Sequence, residues 1–216
     1  MGWGRYSEYQ GGIVIVIVDS GGANLVSITS AFARLGADVL VSGLKQDIER
    51  ASHVILPGVG SAQNIMHRLR ELNLVDVLKS LTQPVLGICV GMQILFEFSE
   101  EGSTECLGIL TGSIKKLPRA PDLTLPHMGW NTLQTMGASP LMKNILPDAY
   151  VYFVHSFAAT ISPNTIAQTH YGTPFSAAVQ QRNFMGVQFH PERSGEIGCQ
   201  ILKNFCNLTV ESTLTV

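Results

Sequence analysis

A single thiol interrupts the apolar run Pro84-Val85-Leu86-Gly87-Ile88-Cys89-Val90-Gly91-Met92. Glycines stand on both sides of it, at 87 and 91, so the backbone can turn sharply and present the sulfur at the end of a strand. A helix starting at Val90 would aim its free N–H groups at the same point, favouring an anion on sulfur and offering donors to a developing oxyanion. A free cysteine packed as a small hydrophobe accounts for the same residue, and the turn alone does not separate the two readings. A thiol nucleophile also needs a base, and the base needs a group that fixes its tautomer and balances its charge. Of the six histidines, His190 stands out, because the strand Gly186-Val187-Gln188-Phe189 runs directly into it, Pro191 fixes the turn, and Glu192 follows two positions later. An imidazole and a carboxylate then share one loop at a strand end. Seen by itself, that loop reads as a surface His-Pro turn with a solvated glutamate.

Positioning such groups takes a real core, and 216 residues with 45% hydrophobic and 14% charged side chains can build one without staples. A formal charge of −2 supplies no basic field for nucleic acid, so no nucleic-acid partner is expected. The four cysteines, Cys89, Cys106, Cys199 and Cys206, have neither zinc-type spacing nor the density of a secreted scaffold. Cys199 and Cys206 read as core packing on one helix. No pair of histidines has metal-ligand spacing, so neither metal nor cofactor is expected. No apolar run approaches the roughly 20 residues of a membrane span, and Ile13 to Val18 is too short for a signal-peptide core. A cytoplasmic protein with no membrane partner fits these features.

Residues 1–12 read as a leader and 208–216 as a weakly punctuated tail, with one domain over 13–207. Ile13 to Val18 predicts a fully buried strand, and Leu25, Ile28, Phe32 and Leu35 recur at helical spacing up to Gly36. Val39 to Val41, His53 to Leu56 and Pro84 to Ile88 are further strands, with helical sequence from Ser61 to Leu81. This alternation predicts a parallel sheet with helices on both faces. The short runs Ile109 to Leu117, Trp130 to Leu133, Tyr150 to Val154, Ile166 to Tyr171, Ala177 to Gln180 and Gly186 to Phe189 predict an antiparallel extension. Ser194 is expected to cap a last helix whose inner face carries Ile197, Ile201, Leu202 and Phe205. The fold class is therefore α/β, with a mixed, mainly parallel sheet.

Cys89 in GICVGMQ together with His190 and Glu192 in GVQFHPERSG resembles the class I, triad-type glutamine amidotransferases. LPGVGSAQ at 56–63, PHMGWN at 126–131 and YFVHSF at 152–157 extend the resemblance, over residues 13 to 207, to the glutaminase subunits of imidazole glycerol phosphate synthase. The resemblance implies a three-layer α/β/α, flavodoxin-like fold and hydrolysis of L-glutamine to glutamate and ammonia by Cys89, His190 and Glu192. By similarity, Gly58, Val59 and Val90 form the oxyanion site, although leucine is more usual than valine at position 90. Gln93, Glu101, His155, Ser156 and Phe157 are implied to bind glutamine, with Glu101 meeting its ammonium and segment 155–157 its carboxylate. The implied partner is a (β/α)8-barrel cyclase subunit that uses the ammonia to make imidazole glycerol phosphate and an aminoimidazole carboxamide ribotide, met through Asn24, Met128, Trp130 and Asn131.

Other readings stay open on the residues themselves. Glycines after a strand at 58 and 60 also suit a phosphate cradle, but a complete G-x-G-x-x-G is missing. Without the family, Gln93 and Glu101 read as exposed helix surface and Trp130 as core. A different amidotransferase on the same scaffold, or a binding module with a structural Cys89, would share the alternating pattern.

Overall fold

The computed structural model describes residues 14–21, 25–119 and 123–213; the expected leader, Ile13 and Asn24 lie outside the described residues. The first half alternates as predicted. β1 (Val14–Val18) is followed by α1 (Leu25–Arg34), β2 (Asp38–Ser42), α2 (Lys45–Arg50) and β3 (His53–Leu56). Then come α3 (Ala62–Glu71), α4 (Val75–Lys79), β4 (Val85–Ile88) and the single turn α5 (Val90–Gln93). The helical stretch from Ser61 is divided because Asn73 adopts a left-handed conformation, φ 54°, between α3 and α4. The second half carries β5 (Phe98–Ser99), β6 (Thr104–Glu105), β7 (Ser113–Lys116), β8 (His127–Thr135), β9 (Ala149–His155) and β10 (Phe157–Ala159). It closes with β11 (Thr165–Tyr171), β12 (Thr173–Gln181), β13 (Phe184–Val187), α6 (Gly195–Cys206) and α7 (Val210–Thr213).

Nine strands form one sheet in the order β2-β1-β3-β4-β13-β12-β11-β8-β9. The first five pair in parallel and the rest antiparallel, so the two kinds of pairing are equal in number and the sheet is mixed with a smaller parallel share than the sequence suggests. The chain leaves β1 in one direction for β2 and then crosses back to β3. Right-handed crossovers in opposite directions place their helices on opposite faces, which gives the three layers. Every residue of β1, β3, β4 and β13 is buried, as strands covered on both faces must be. β5, β6, β7 and β10 form a separate small sheet that the sequence did not announce; of the predicted strand Ile109 to Leu117 only Ser113–Lys116 is extended.

Two local expectations change. The described part of the tail packs onto the domain: Leu208 and Thr213 are buried, and the Leu208 carbonyl lies 3.0 Å from His53 Nε2. On α6, Cys199 is exposed and only Cys206 packs against the core, because Ile201, Leu202 and Phe205 fill the inner face.

Candidate active site

Parallel strands deliver side chains to the crevice at their carboxyl ends, and β4 and β13 are adjacent there, with Val187 opposite Ile88. Cys89 follows β4 with φ 55° and ψ −112°, a conformation that a side chain rarely adopts. The turn is possible because its flanks have no side chains. A β-carbon on Gly87 would strike Gly91, one on Gly91 would strike the Leu56 carbonyl, and one on Gly58 would stand 2.7 Å from Val90 Cβ. The loop after β3, carrying Gly58 and Val59, is thus pressed backbone to backbone against the turn that carries the thiol. The helix expected to start at Val90 is the single turn α5, with Ile94 as its C-cap and a turn at residues 94–95.

His190 follows β13 by three residues, and Pro191–Arg193 form one turn of 3-10 helix, as the proline suggested. That turn brings Glu192 Oε1 to 2.9 Å from His190 Nδ1, with both side chains almost wholly buried. Nδ1–H donates to the carboxylate, so Nε2 faces away; it is buried and has no hydrogen-bond partner. Burial draws the His190 pKa down, but contact with the Cys89 sulfur and the Glu192 carboxylate outweighs it and raises the value to about 10. Ser194 does not cap α6; its hydroxyl donates to the His190 carbonyl at 2.7 Å and accepts the Tyr152 N–H at 3.0 Å, tying the loop to β9.

One cavity of about 450 Å³ is lined by Cys89, His190 and Glu192, by Gly58, Val59 and Val90, and by Gln93, Glu101, His155, Ser156 and Phe157. Every residue expected from the sequence for catalysis, the oxyanion site and glutamine thus lines the same space. Gln93 is buried rather than surface-facing, and its amide donates to the Phe157 carbonyl at 2.9 Å and to Gln188 Oε1 at 3.0 Å. Glu101 accepts the Ala62 N–H at the start of α3, 2.9 Å from Oε2.

Of the expected interface residues, Met128 is 62% and Trp130 55% exposed, so the tryptophan is not core. Asn131 differs. Its amide turns to the opposite face of β8 and lies 3.3 Å from His127 Nε2 and 3.0 Å from the His170 carbonyl.

Sequence reasoning missed Gln188, which is fully buried and points its amide nitrogen at Cys89 Sγ, 3.8 Å away. The available signal was a polar residue in the buried stretch before His190, two positions earlier and therefore on the same side of an extended chain. It also missed His127, described below, and Arg193, which lines the cavity and stacks its guanidinium 4.6 Å from the Tyr152 ring. Among the described residues no cluster of His, Cys, Asp or Glu could hold a metal ion, and no helix is long and apolar enough to cross a membrane.

Comparison with known proteins agrees with this geometry: the family model "Glutamine amidotransferase class-I" matches residues 16–208. The chain belongs to that family. Among these amidotransferases it is 49% identical, over 195 residues, to the imidazole glycerol phosphate synthase subunit HisH of Yersinia pseudotuberculosis, with 90% of this chain and 99% of that protein covered. It is 50% identical over 196 residues to the HisH subunit of Salmonella typhimurium, with the same coverage. Relatives this similar place the chain with the HisH glutamine amidotransferases. In fold the chain is also similar to the structure of PurLQS from Thermotoga maritima, with a TM-score of 0.71, 19% identity and coverage of 91% of this chain and 99% of that one. The class-I amidotransferase fold accounts for the thiol at the end of a central parallel strand and for the histidine delivered by the strand beside it.

Proposed function

We propose that this amidotransferase is the glutaminase subunit of an imidazole glycerol phosphate synthase, working through Cys89, His190 and Glu192. The observation that carries the reading is the buried, unpartnered Nε2 of His190, with Nδ1 held by Glu192 at 2.9 Å, in the cavity that Cys89 lines. The Cys89 thiolate attacks the carboxamide carbon of glutamine, and the oxyanion is met by backbone N–H groups at Val90 and in the Gly58-Val59 loop. The C–N bond breaks as His190 gives its proton to the leaving ammonia, and a glutamyl thioester remains. Water then loses a proton to His190, adds to the thioester, and expels the thiolate as glutamate leaves. Glu192 holds the imidazole with Nδ1–H outward and balances its charge in both steps.

Glu101 meets the substrate ammonium, and the backbone of 155–157 meets its carboxylate. The ammonia passes to a (β/α)8-barrel cyclase subunit, in a heterodimer that makes imidazole glycerol phosphate and an aminoimidazole carboxamide ribotide. Met128, Trp130 and the exposed Tyr150, on paired strands β8 and β9, offer an apolar face for that partner, and Arg193 on Tyr152 joins the face to the cavity. A cytoplasmic setting suits both histidine biosynthesis, in which such a synthase would act, and the four free thiols. The test is glutamate release by the purified chain with its cyclase partner and substrate analogue. Cys89→Ala abolishes release, and activity that survives in that variant refutes the role of the thiol.

A further inference from the structure

Two buried histidines lie side by side on β8 and β9, directly opposite one another in the pairing of the two strands. His155 Nδ1 is 2.9 Å from the Phe157 carbonyl oxygen, and His155 Nε2 is 3.0 Å from His127 Nδ1. His127 Nε2 in turn is 3.3 Å from the amide nitrogen of Asn131. The Asn131 amide is not free to flip, because its oxygen accepts the Thr132 N–H at 2.8 Å and its nitrogen donates to the His170 carbonyl at 3.0 Å.

These contacts fix every proton. A carbonyl only accepts, so His155 carries its proton on Nδ1, and its neutral ring offers a lone pair at Nε2. That lone pair requires N–H on His127 Nδ1, which leaves the lone pair of His127 Nε2 for the Asn131 amide. Reversing the chain sets a lone pair against the Phe157 oxygen, and a second proton on His127 sets N–H against N–H at Asn131. Burial agrees, holding His127 down to about 4 and His155 to about 3. The chain ends where the substrate is expected: the Phe157 carbonyl also accepts Gln93, whose amide holds Gln188 beside Cys89.

We propose that His127 is a positioning residue for the glutamine-binding segment 155–157, acting by donating a hydrogen bond to His155 and so fixing the tautomer with which His155 holds the Phe157 carbonyl. His127 is absent from the cavity wall and acts through its neighbour. The inference rests on the glutaminase reading for its consequence, but the relay itself has an independent readout.

His127→Phe is the informative variant. The His127 ring is stacked at 23° between Phe153 and Tyr171, with centroids 4.8 and 4.0 Å away, so phenylalanine keeps the stack and deletes both nitrogens. His127→Asn is the rescue, since its amide nitrogen reaches the place of Nδ1. In the full chain with its cyclase partner, His127→Phe raises the KM for glutamine roughly fivefold to tenfold, the effect of one lost hydrogen bond, with little change in kcat. His127→Asn returns most of that loss. Nitrogen-15 NMR of the wild-type histidines shows the Nδ1–H tautomer at both 127 and 155. An Nε2–H tautomer at either ring overturns the relay even if a variant fails to fold, and equal KM effects in both variants reduce His127 to packing. Wild-type protein that releases no glutamate would instead sink the glutaminase reading, and the substrate role with it, while leaving the tautomers to judge the relay.

Discussion

Gly91→Ala tests the seam between the thiol-bearing turn and the loop after β3. A β-carbon at 91 would overlap the Leu56 carbonyl oxygen and stand 2.8 Å from the Leu56 carbonyl carbon and 3.3 Å from that of Pro57. These are backbone atoms at the end of a buried strand, so no change of rotamer relieves the overlap. One side of the seam carries Cys89 and Val90 and the other carries Gly58 and Val59, so relief must separate the proposed nucleophile from half of the proposed oxyanion site. The backbone has to retreat by on the order of 1 Å, and a misplacement of that size at a reacting centre costs about a hundredfold. Overpacking adds a stability loss of roughly 2 kcal/mol, or about 4–8 °C in Tm for a chain of this size. Gly36→Ala is the control: nothing lies within 4 Å of its β-carbon, and its φ of 73° makes the change a matter of backbone strain alone, far from the cavity. It lowers Tm by a few degrees and leaves glutamate release intact. The assay is kcat/KM for glutamine with the cyclase partner, alongside thermal unfolding. If Gly91→Ala keeps kcat/KM within about threefold of wild type and its Tm matches, the seam is compliant and the argument from close approach fails.

Glu192→Gln removes a charge that holds the proton on His190. Because the folded-state value is raised, the pair stabilises the fold below the ordinary pKa near 6.5, and this contribution is lost as pH climbs through about 10. The variant therefore shifts the alkaline fall of kcat downward by roughly one to three pH units and flattens the alkaline decline of Tm; a pH–rate profile that superimposes on wild type contradicts the assignment. Ser194→Ala leaves the His190 carbonyl and the Tyr152 N–H without their shared partner in a site only 2% exposed. The expected loss is about 1–3 kcal/mol by urea unfolding, together with lower kcat as the His190 loop loosens, and an unchanged midpoint would show that the hydroxyl is dispensable.

The parts of the site that were legible in the sequence are those whose chemistry is local. Gly87, Cys89 and Gly91 lie within one turn, and His190, Pro191 and Glu192 within another, so each group's pattern shows in a stretch of at most five residues. The parallel core was legible for a similar reason, since continuous β-branched runs mark strands covered on both faces. Ser194 shows where this ends. Its position before a helix reads as a cap by pattern, yet its hydroxyl is taken by Tyr152 on a strand 42 residues earlier, and only the tertiary fold offers that partner. Gln188 and Cys89 likewise meet across 99 residues, through the parallel pairing of β13 with β4.

His127 and Asn131 were hidden by an inversion of the usual burial rule. In a half-buried strand the apolar side chains face in, and by that rule Met128 and Trp130 would be core while the histidine and asparagine faced solvent. The structure does the opposite: His127 is 3% exposed, and Met128 and Trp130 are more than half exposed. A one-residue slip of the strand would restore the ordinary pattern, so something must compensate for leaving two large apolar side chains in water. The hydrogen-bonded chain from Asn131 through both histidines to Phe157 supplies part of that compensation, because the slip would carry His127 and Asn131 to the other face of β8 and break the bond that joins the two histidines across the strands. The remainder points to a covering partner, whose burial of Met128 and Trp130 would remove the exposed apolar surface. On the proposed reading, the face that meets the partner and the face that positions the substrate are two sides of one strand, and the inverted alternation of H-M-G-W-N is the sequence trace expected of both.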